Sequence, residues 1–174
     1  RGAEVTMVIG PVTQPLQSEY KTVKVTSAAE MYEACTQIFP DVDIAVMSAA
    51  VADYTIAVPA NEKIKKNSDQ LVIELKKTRD ILKTLGETKK ANQFLVGFAL
   101  ETNNEREFAI RKLHSKNADM IVLNSLNDEG AGFGHNTNKI TIFDKNDHEY
   151  HFDMKSKTAI AEDIVDTILK FPHE

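Results

Sequence analysis

Four short, unbroken apolar runs recur along the chain at residues 5–9, 44–50, 94–99 and 120–123, and sequence of helical period separates them. A strand with one solvated face alternates apolar and polar residues. An unbroken run needs cover on both faces, which a parallel sheet gets from the helices of its own crossovers. Ser27-Ala28-Ala29-Glu30 has the pattern of a capping box. Behind it Ala28, Met31, Tyr32, Cys35, Ile38 and Phe39 fall on one helical face, and Pro40 ends the run. Further helices are expected over 78–85, with Gly86 as C-terminal stop, over 104–117 and over 156–171. Residues 22–25 and 71–75 alternate as short strands, and 53–70 is polar and irregular. Runs 140–143 and 149–152 flank Asp144-Lys145-Asn146-Asp147 as a hairpin. The expectation is therefore α/β: a three-layer, mainly parallel, Rossmann-like sheet with a C-terminal β-hairpin and helix, forming a single domain over 1–174.

Composition narrows the function. Lys and Arg number 21 against 26 Asp and Glu, a formal net charge of −5. That balance disfavours general nucleic-acid binding, which rests on basic surface. No apolar run approaches the ~20 residues that span a bilayer. The single cysteine, Cys35, cannot form an intramolecular disulfide or a cysteine metal cage, and its place on an apolar helical stripe makes it a small core residue. No metal site is expected, because the five histidines are scattered, and His148 and His151 are expected to face solvent from the hairpin. The first residue is Arg1, and the expectation is that the chain is the body of a longer polypeptide.

In an open parallel sheet, ligands bind beyond the carboxyl ends of the strands. Three segments are expected there: Ala49-Ala50-Val51-Ala52-Asp53-Tyr54, Gly97-Phe98-Ala99-Leu100-Glu101-Thr102 and Asn124-Ser125-Leu126-Asn127. Small residues at 49, 50 and 52 admit close approach to the backbone, or simply pack tightly. Residues 63–90 hold nine Lys/Arg and four Asp/Glu, a local +5 that leaves −10 on the rest. Within it Glu62-Lys63-Ile64-Lys65-Lys66 follows the 49–54 segment and is suited to phosphate, although a charge run is often only a solvated face. Lys112 and Lys116 share one helical face. The turn Gly130-Ala131-Gly132-Phe133-Gly134 lacks dinucleotide spacing and leads into a strand, so an oxidoreductase has no nicotinamide fingerprint here. Neither a phosphate-loop motif nor a nucleophile elbow is present in the sequence. From the residues alone, the result is an α/β domain with a nucleotide or phosphate crevice.

Ser48-Ala49-Ala50-Val51-Ala52-Asp53-Tyr54 followed by Lys63-Ile64-Lys65-Lys66 resembles phosphopantothenoylcysteine synthetase. Gly97 to Thr102, Ala118 to Asn124 and Gly132-Phe133-Gly134 before Asn138 continue the resemblance in order, over essentially the whole chain. The resemblance implies a CTP-dependent phosphopantothenate–cysteine ligase working through an acyl-cytidylate, with Mg²⁺ accompanying the triphosphate. Its substrates would be CTP, 4′-phosphopantothenate and L-cysteine. It implies a nucleotide pocket lined by Met47, Ser48, Ala49 and Asp53, with Lys63 catalytic at the triphosphate. Lys65 and Lys66 would form a flap. Arg79, Asp80, Ile81 and Leu82 would lie near the nucleotide, with Arg79 where the family has proline. Phe98, Lys112 and Lys116 would also contact it, and Ala50 would lie near phosphopantothenate. A cytoplasmic homodimer, fused to or paired with a flavin-dependent decarboxylase, is implied as well. The family's first strand and its Gly/Ser-rich turn are expected to precede Arg1. Without them, the alternative is a catalytically incomplete nucleotide-binding or interaction domain of the same fold.

Overall fold

Parallel pairing runs through most of the strands, as the unbroken apolar runs demand. The computed structural model describes residues 1–12, 20–65, 70–101, 103–125 and 136–171. The chain divides into two units, 1–35 with 49–80 and 36–48 with 81–174.

In the first unit, β1 (Thr6–Ile9) pairs in parallel with β2 (Lys21–Lys24). The pairing continues one step further, since the Val25 N–H donates to the Ile9 carbonyl at 2.9 Å. The capping box forms in a modified way. Ser27 Oγ accepts from the Glu30 N–H, while the Glu30 carboxylate reaches back past Ser27 to the Thr26 N–H and hydroxyl, at 2.6 and 2.8 Å. These bonds start α1 (Ala28–Ile38), and a 3₁₀ turn with Pro40 ends it at Phe39–Asp41. Cys35 is half-buried, and burial pushes its thiol pKa up, in keeping with a packing role. Next, β3 (Ile44–Met47) belongs to the second unit, and β4 (Tyr54–Ile56) returns to the first. There β4 pairs antiparallel with β5 (Leu75–Lys77) as a two-stranded ribbon.

The ribbon departs from the sequence reading. The alternation over 71–75 predicts a strand, but only Leu75 of it is in β5. Leu71, Ile73 and Leu75 are 63, 55 and 54 % exposed, so the apolar set meets no buried face that would hold that register. β4 lies within the stretch read as irregular.

In the second unit, β3, β6 (Phe94–Glu101), β7 (Met120–Ser125), β8 (Thr137–Asp144) and β9 (Glu149–Ser156) form one sheet in that order. β3, β6 and β7 are parallel, and β8 and β9 add the antiparallel hairpin. On one face α4 (Lys157–Ile168) places Ile160, Ile164 and Ile168 against Phe94, Val96, Met120, Val122, Ile140 and Ile142. Ser156 caps α4 by accepting from the Ala159 N–H. On the other face α3 (Glu105–Ser115) sets Ala109 and Leu113 against Ala99, Ile121, Leu123 and Phe143, and Leu82 of α2 (Ile81–Thr88) packs beside them. Helix, sheet and helix make the three layers that the apolar runs predict. The edge strands β3 and β9 are less covered, and Val46 of β3 is 46 % exposed.

Two glycines set this packing. Gly86, expected as a helix stop, lies inside α2 and is buried. A Cβ there would collide with the Lys116 carbonyl oxygen, so glycine serves the close approach of the turn after α3. Gly97 plays the same part for α2 against the sheet, since a Cβ would lie 2.6 Å from Leu82 Cδ2 and 2.8 Å from Ile121 Cδ1. The helix read over 78–85 accordingly begins three residues later, at Ile81.

Candidate functional site

In the second unit, strand register decides which expected residues meet. Met47 is the last residue of β3 and pairs with Gly97, next to Phe98 on β6. Both Met47 and Phe98 are half-buried, while Ser48, immediately beyond the strand, is exposed. Phe98 packs on the apolar layer under α4. Segments 97–101 and 124–125, expected at the ends of the strands, are themselves strand in β6 and β7. The ladder explains this, because Gly97 to Glu101 pair with Ile121 to Ser125 without a break.

Ile81 and Leu82 open α2, with Ile81 buried and Leu82 half-buried. Lys112 lies in the last turn of α3 and Lys116 caps it, its N–H donating to the Lys112 carbonyl. Both are half-buried on one face. The chain runs from them into the start of β7, so they sit toward the opposite end of the sheet from Met47.

In the first unit, Ala49, Ala50 and Asp53 are exposed. Thr78 fixes them locally: its N–H donates to the Asp53 carbonyl at 2.9 Å, and its hydroxyl to the Ala52 carbonyl at 2.8 Å. That clasp holds Asp53 beside the 78–80 segment at the open end of the ribbon. Arg79 stacks on Tyr32 of α1, with Cζ 3.7 Å from the ring centroid, and forms an ion pair with Glu33. Lys63 and Lys65 lie on the excursion that closes the ribbon, exposed, and neither pairs with another described residue. Lys66, Thr102, Leu126, Asn127 and the 130–134 glycine turn lie outside the described residues. The two ends of the ribbon thus carry a clasped Asp53 and free lysines, a composition suited to an anionic ligand.

Two buried carboxylates carried no sequence signal. Asp119 accepts from the Leu95 N–H at 2.8 Å, from Lys89 at 2.7 Å and from Lys145 at 3.2 Å. Asp144 accepts from the N–H groups of Asn146 and His148 at 2.8 and 3.0 Å, with His148 Nδ1 at 3.0 Å and the Tyr150 hydroxyl at 3.1 Å. Burial raises the Asp144 pKa, but those bonds outweigh it and hold the carboxyl below its ordinary value. Burial, and then Asp144 itself, raise the Tyr150 pKa. His148 therefore organises the hairpin turn while remaining largely exposed.

Residues 1–171 match the family described as DNA/pantothenate metabolism flavoprotein C-terminal domain. The chain is 52% identical over 173 residues to a cysteine/cysteine sulfinic acid decarboxylase from an unknown prokaryotic organism, covering 99% of this chain and 48% of that protein. It is 43% identical over 169 residues to the coenzyme A biosynthesis bifunctional protein CoaBC of Bacillus subtilis (strain 168), covering 96% and 41% respectively. A crystal structure of the C-terminal domain of CoaBC is similar with a TM-score of 0.80 and 38% identity, covering 96% of this chain and 74% of that one. The chain spans less than half the length of these two curated relatives.

Proposed function

The chain belongs to the family of the DNA/pantothenate metabolism flavoprotein C-terminal domain, and from that premise we propose that it is the phosphopantothenate–cysteine ligase module of coenzyme A biosynthesis. The observation that carries the reading is its 38% identity, across 96% of its length, with the C-terminal domain of CoaBC. In the proposed reaction the carboxylate of 4′-phosphopantothenate attacks the α-phosphorus of CTP. The bond to the bridging oxygen breaks, pyrophosphate leaves and an acyl-cytidylate forms. The cysteine amine then attacks the acyl carbon, loses a proton and expels CMP. Neither step needs a protein nucleophile. Both need positioning and positive charge.

Lys63 supplies that charge at the triphosphate, and its exposure and freedom among the described residues support the role. Lys65 and Lys66 close over the nucleotide as a flap. Met47, Ser48, Ala49, Asp53 and Phe98 line its pocket, Asp80, Ile81 and Leu82 border it at the start of α2, and Ala50 meets phosphopantothenate. Arg79 acts through its hold on α1, and Lys112 and Lys116, toward the opposite end of the sheet from Met47, are left out of the nucleotide site. Mg²⁺ belongs to the proposal as part of the nucleotide, carried by triphosphate oxygens and offsetting their charge.

The protein works as a homodimer. Tyr54, Ile56 and Leu75 on the ribbon, with Val58, Val72 and Ile73 on its excursion, are 47 to 90 % exposed, an apolar surface that a second copy covers. A flavin-dependent decarboxylase, fused or paired, supplies the rest of the bifunctional protein, and the assembly is cytoplasmic. The test supplies CTP, Mg²⁺, phosphopantothenate and cysteine and follows pyrophosphate and CMP. Product formation in step with CMP supports the ligase. CTP binding without turnover instead supports the incomplete nucleotide-binding domain. Release of CO₂ from cysteine by this chain favours the activity named for its 52% identical relative.

A further inference from the structure

A cavity of about 310 Å³ opens in the second unit where β6 and β7 begin, lined by Lys89, Lys90, His114, Asn117, Asp119 and Lys145 among others. The strand starts define the end of the sheet opposite the one at which β3 stops at Met47. Three lysines and one carboxylate therefore line the cavity, and two of the lysines, Lys89 and Lys145, bond that carboxylate. Asp119 is 4 % exposed and has both oxygens engaged, one by Lys89 and the Leu95 N–H, the other by Lys145.

One lysine suffices to neutralise Asp119. Lys89 does so and is 12 % exposed, with its second bond going to the Asn117 carbonyl. Lys145 adds a second cation to a charge already met, at the longer 3.2 Å, and stays 56 % exposed. Among the described residues the Lys90 ammonium donates only to the Pro40 carbonyl, at 2.6 Å, so no carboxylate there meets its charge. His114 is 58 % exposed and faces Asp147 at 3.4 Å. The carbonyls around the ends of the two helices are already served, since the N–H groups of Lys116, Asn117 and Ala118 donate into the last turn of α3 and Asn117 Nδ2 donates to the Gly86 carbonyl. Among the described residues, the ammonium groups of Lys90 and Lys145 thus keep protons beyond those bonded to the Pro40 carbonyl and Asp119. The lining lysines and Asp119 sum to +2 in a concave, partly desolvated place, where fixed cations act more strongly than on open surface.

We propose that this cavity is an anion site for a tetrahedral phosphate group, free or carried as a monoester, bound by Lys90 and Lys145 with Lys89 and Asp119 as the rigid floor. Two surplus positive charges match the near-dianionic charge of phosphate at neutral pH, and several ammonium donors suit its several oxygens. Because Lys145 follows β8 while Lys89 and Lys90 follow α2, a bound phosphate braces the start of β6 and β7 against the hairpin. None of these residues is assigned to the ligase reaction, so the site stands or falls separately from that reading.

The test is a ¹H–¹⁵N titration of the whole chain with sodium phosphate and, in a second arm, with glycerol 3-phosphate, each against sodium chloride at equal ionic strength. Saturable shifts of the Lys90, Ala91, Asn117 and Lys145 amides with either ligand, absent with chloride, are expected. Tighter binding of the monoester identifies a metabolite-borne phosphate, and tighter binding of inorganic phosphate identifies the free ion. The Lys90→Met/Lys145→Met variant is expected to bind at least tenfold more weakly while keeping the spectrum of the rest of the chain. Should that pair not fold, Lys90→Met alone, which removes only a bond to a carbonyl, carries the comparison with a loss of at least threefold. Shifts that stay linear with concentration, or equal affinity in the variants, overturn the proposal.

Discussion

Asp119→Asn is expected to destabilise the second unit more than a substitution of equal size on its surface. The change keeps shape and keeps an oxygen for the Leu95 N–H, but it turns an amide nitrogen toward a lysine and removes the counter-charge. Asp119 and Lys89 are 4 and 12 % exposed, so this is a buried pair. Breaking such a pair by removing one partner costs about 3–5 kcal/mol. The oxygen kept for the Leu95 N–H still accepts from Lys89, which also bonds the Asn117 carbonyl and has slight access to water, so the cost lies near the lower end, about 3 kcal/mol. Lys145 adds little, because it is 56 % exposed and solvent screens it. For a chain of this length each kcal/mol moves Tm by roughly 2–4 °C, so a fall of about 6–12 °C is expected. Urea unfolding and calorimetry read it directly. Lys89→Met and the double variant complete a cycle: the double variant buries no unpaired charge and should recover about 2 kcal/mol against the sum of the singles. A loss below about 1 kcal/mol for Asp119→Asn, or simple additivity in the cycle, refutes the reasoning.

Gly86→Ala should cost about 3 kcal/mol in urea unfolding, because its Cβ displaces the Lys116 carbonyl and takes the Asn117–Gly86 hydrogen bond with it. Asp144 has a folded pKa below its ordinary 3.8, so its contribution is full above that value and lost as pH falls through the folded one. Acid unfolding of Asp144→Asn should therefore show a shallower loss between pH 4 and the acid limit, by about one proton in slope, with about 2–3 kcal/mol already missing at pH 7. An unchanged acid slope contradicts the assignment. Replacing Ile56 and Leu75 by Ser should shift the protein from dimer to monomer in sedimentation velocity without loss of helix in circular dichroism. Persistence of the dimer moves the interface elsewhere.

The second unit was largely legible in the sequence. Apolar runs at 94–99 and 120–123 specify strands buried on both faces, and the 140–152 hairpin announces itself by its Asp-Lys-Asn-Asp turn. Legibility failed where tertiary contacts overrode local pattern. Gly86 has the composition of a helix stop, yet its role is set by a carbonyl thirty residues on. Alternation at 71–75 promised a half-buried strand, yet the first unit offers those residues no cover. For the candidate site, Phe98 lies in a segment expected at a strand end, whereas Met47, Lys63, Lys112 and Lys116 rested on resemblance, because a lysine in solvent and a lysine at a ligand share one local pattern. The clasp of Asp53 by Thr78 and the Asp119–Lys89 pair join residues 25 to 30 apart, beyond any periodicity.

Single-turnover reaction of the chain with α-labelled CTP, Mg²⁺, 4′-phosphopantothenate and cysteine, alongside Lys63→Ala, tests the ligase reading most directly. Labelled acyl-cytidylate is expected before cysteine is added, then CMP equal to the ligated product. A turnover about 10²-fold lower in the folded Lys63→Ala protein and no comparable turnover with ATP at equal concentration are also expected. Ligation by Lys63→Ala at the wild-type rate, or product without release of labelled CMP, would contradict the ligase reading.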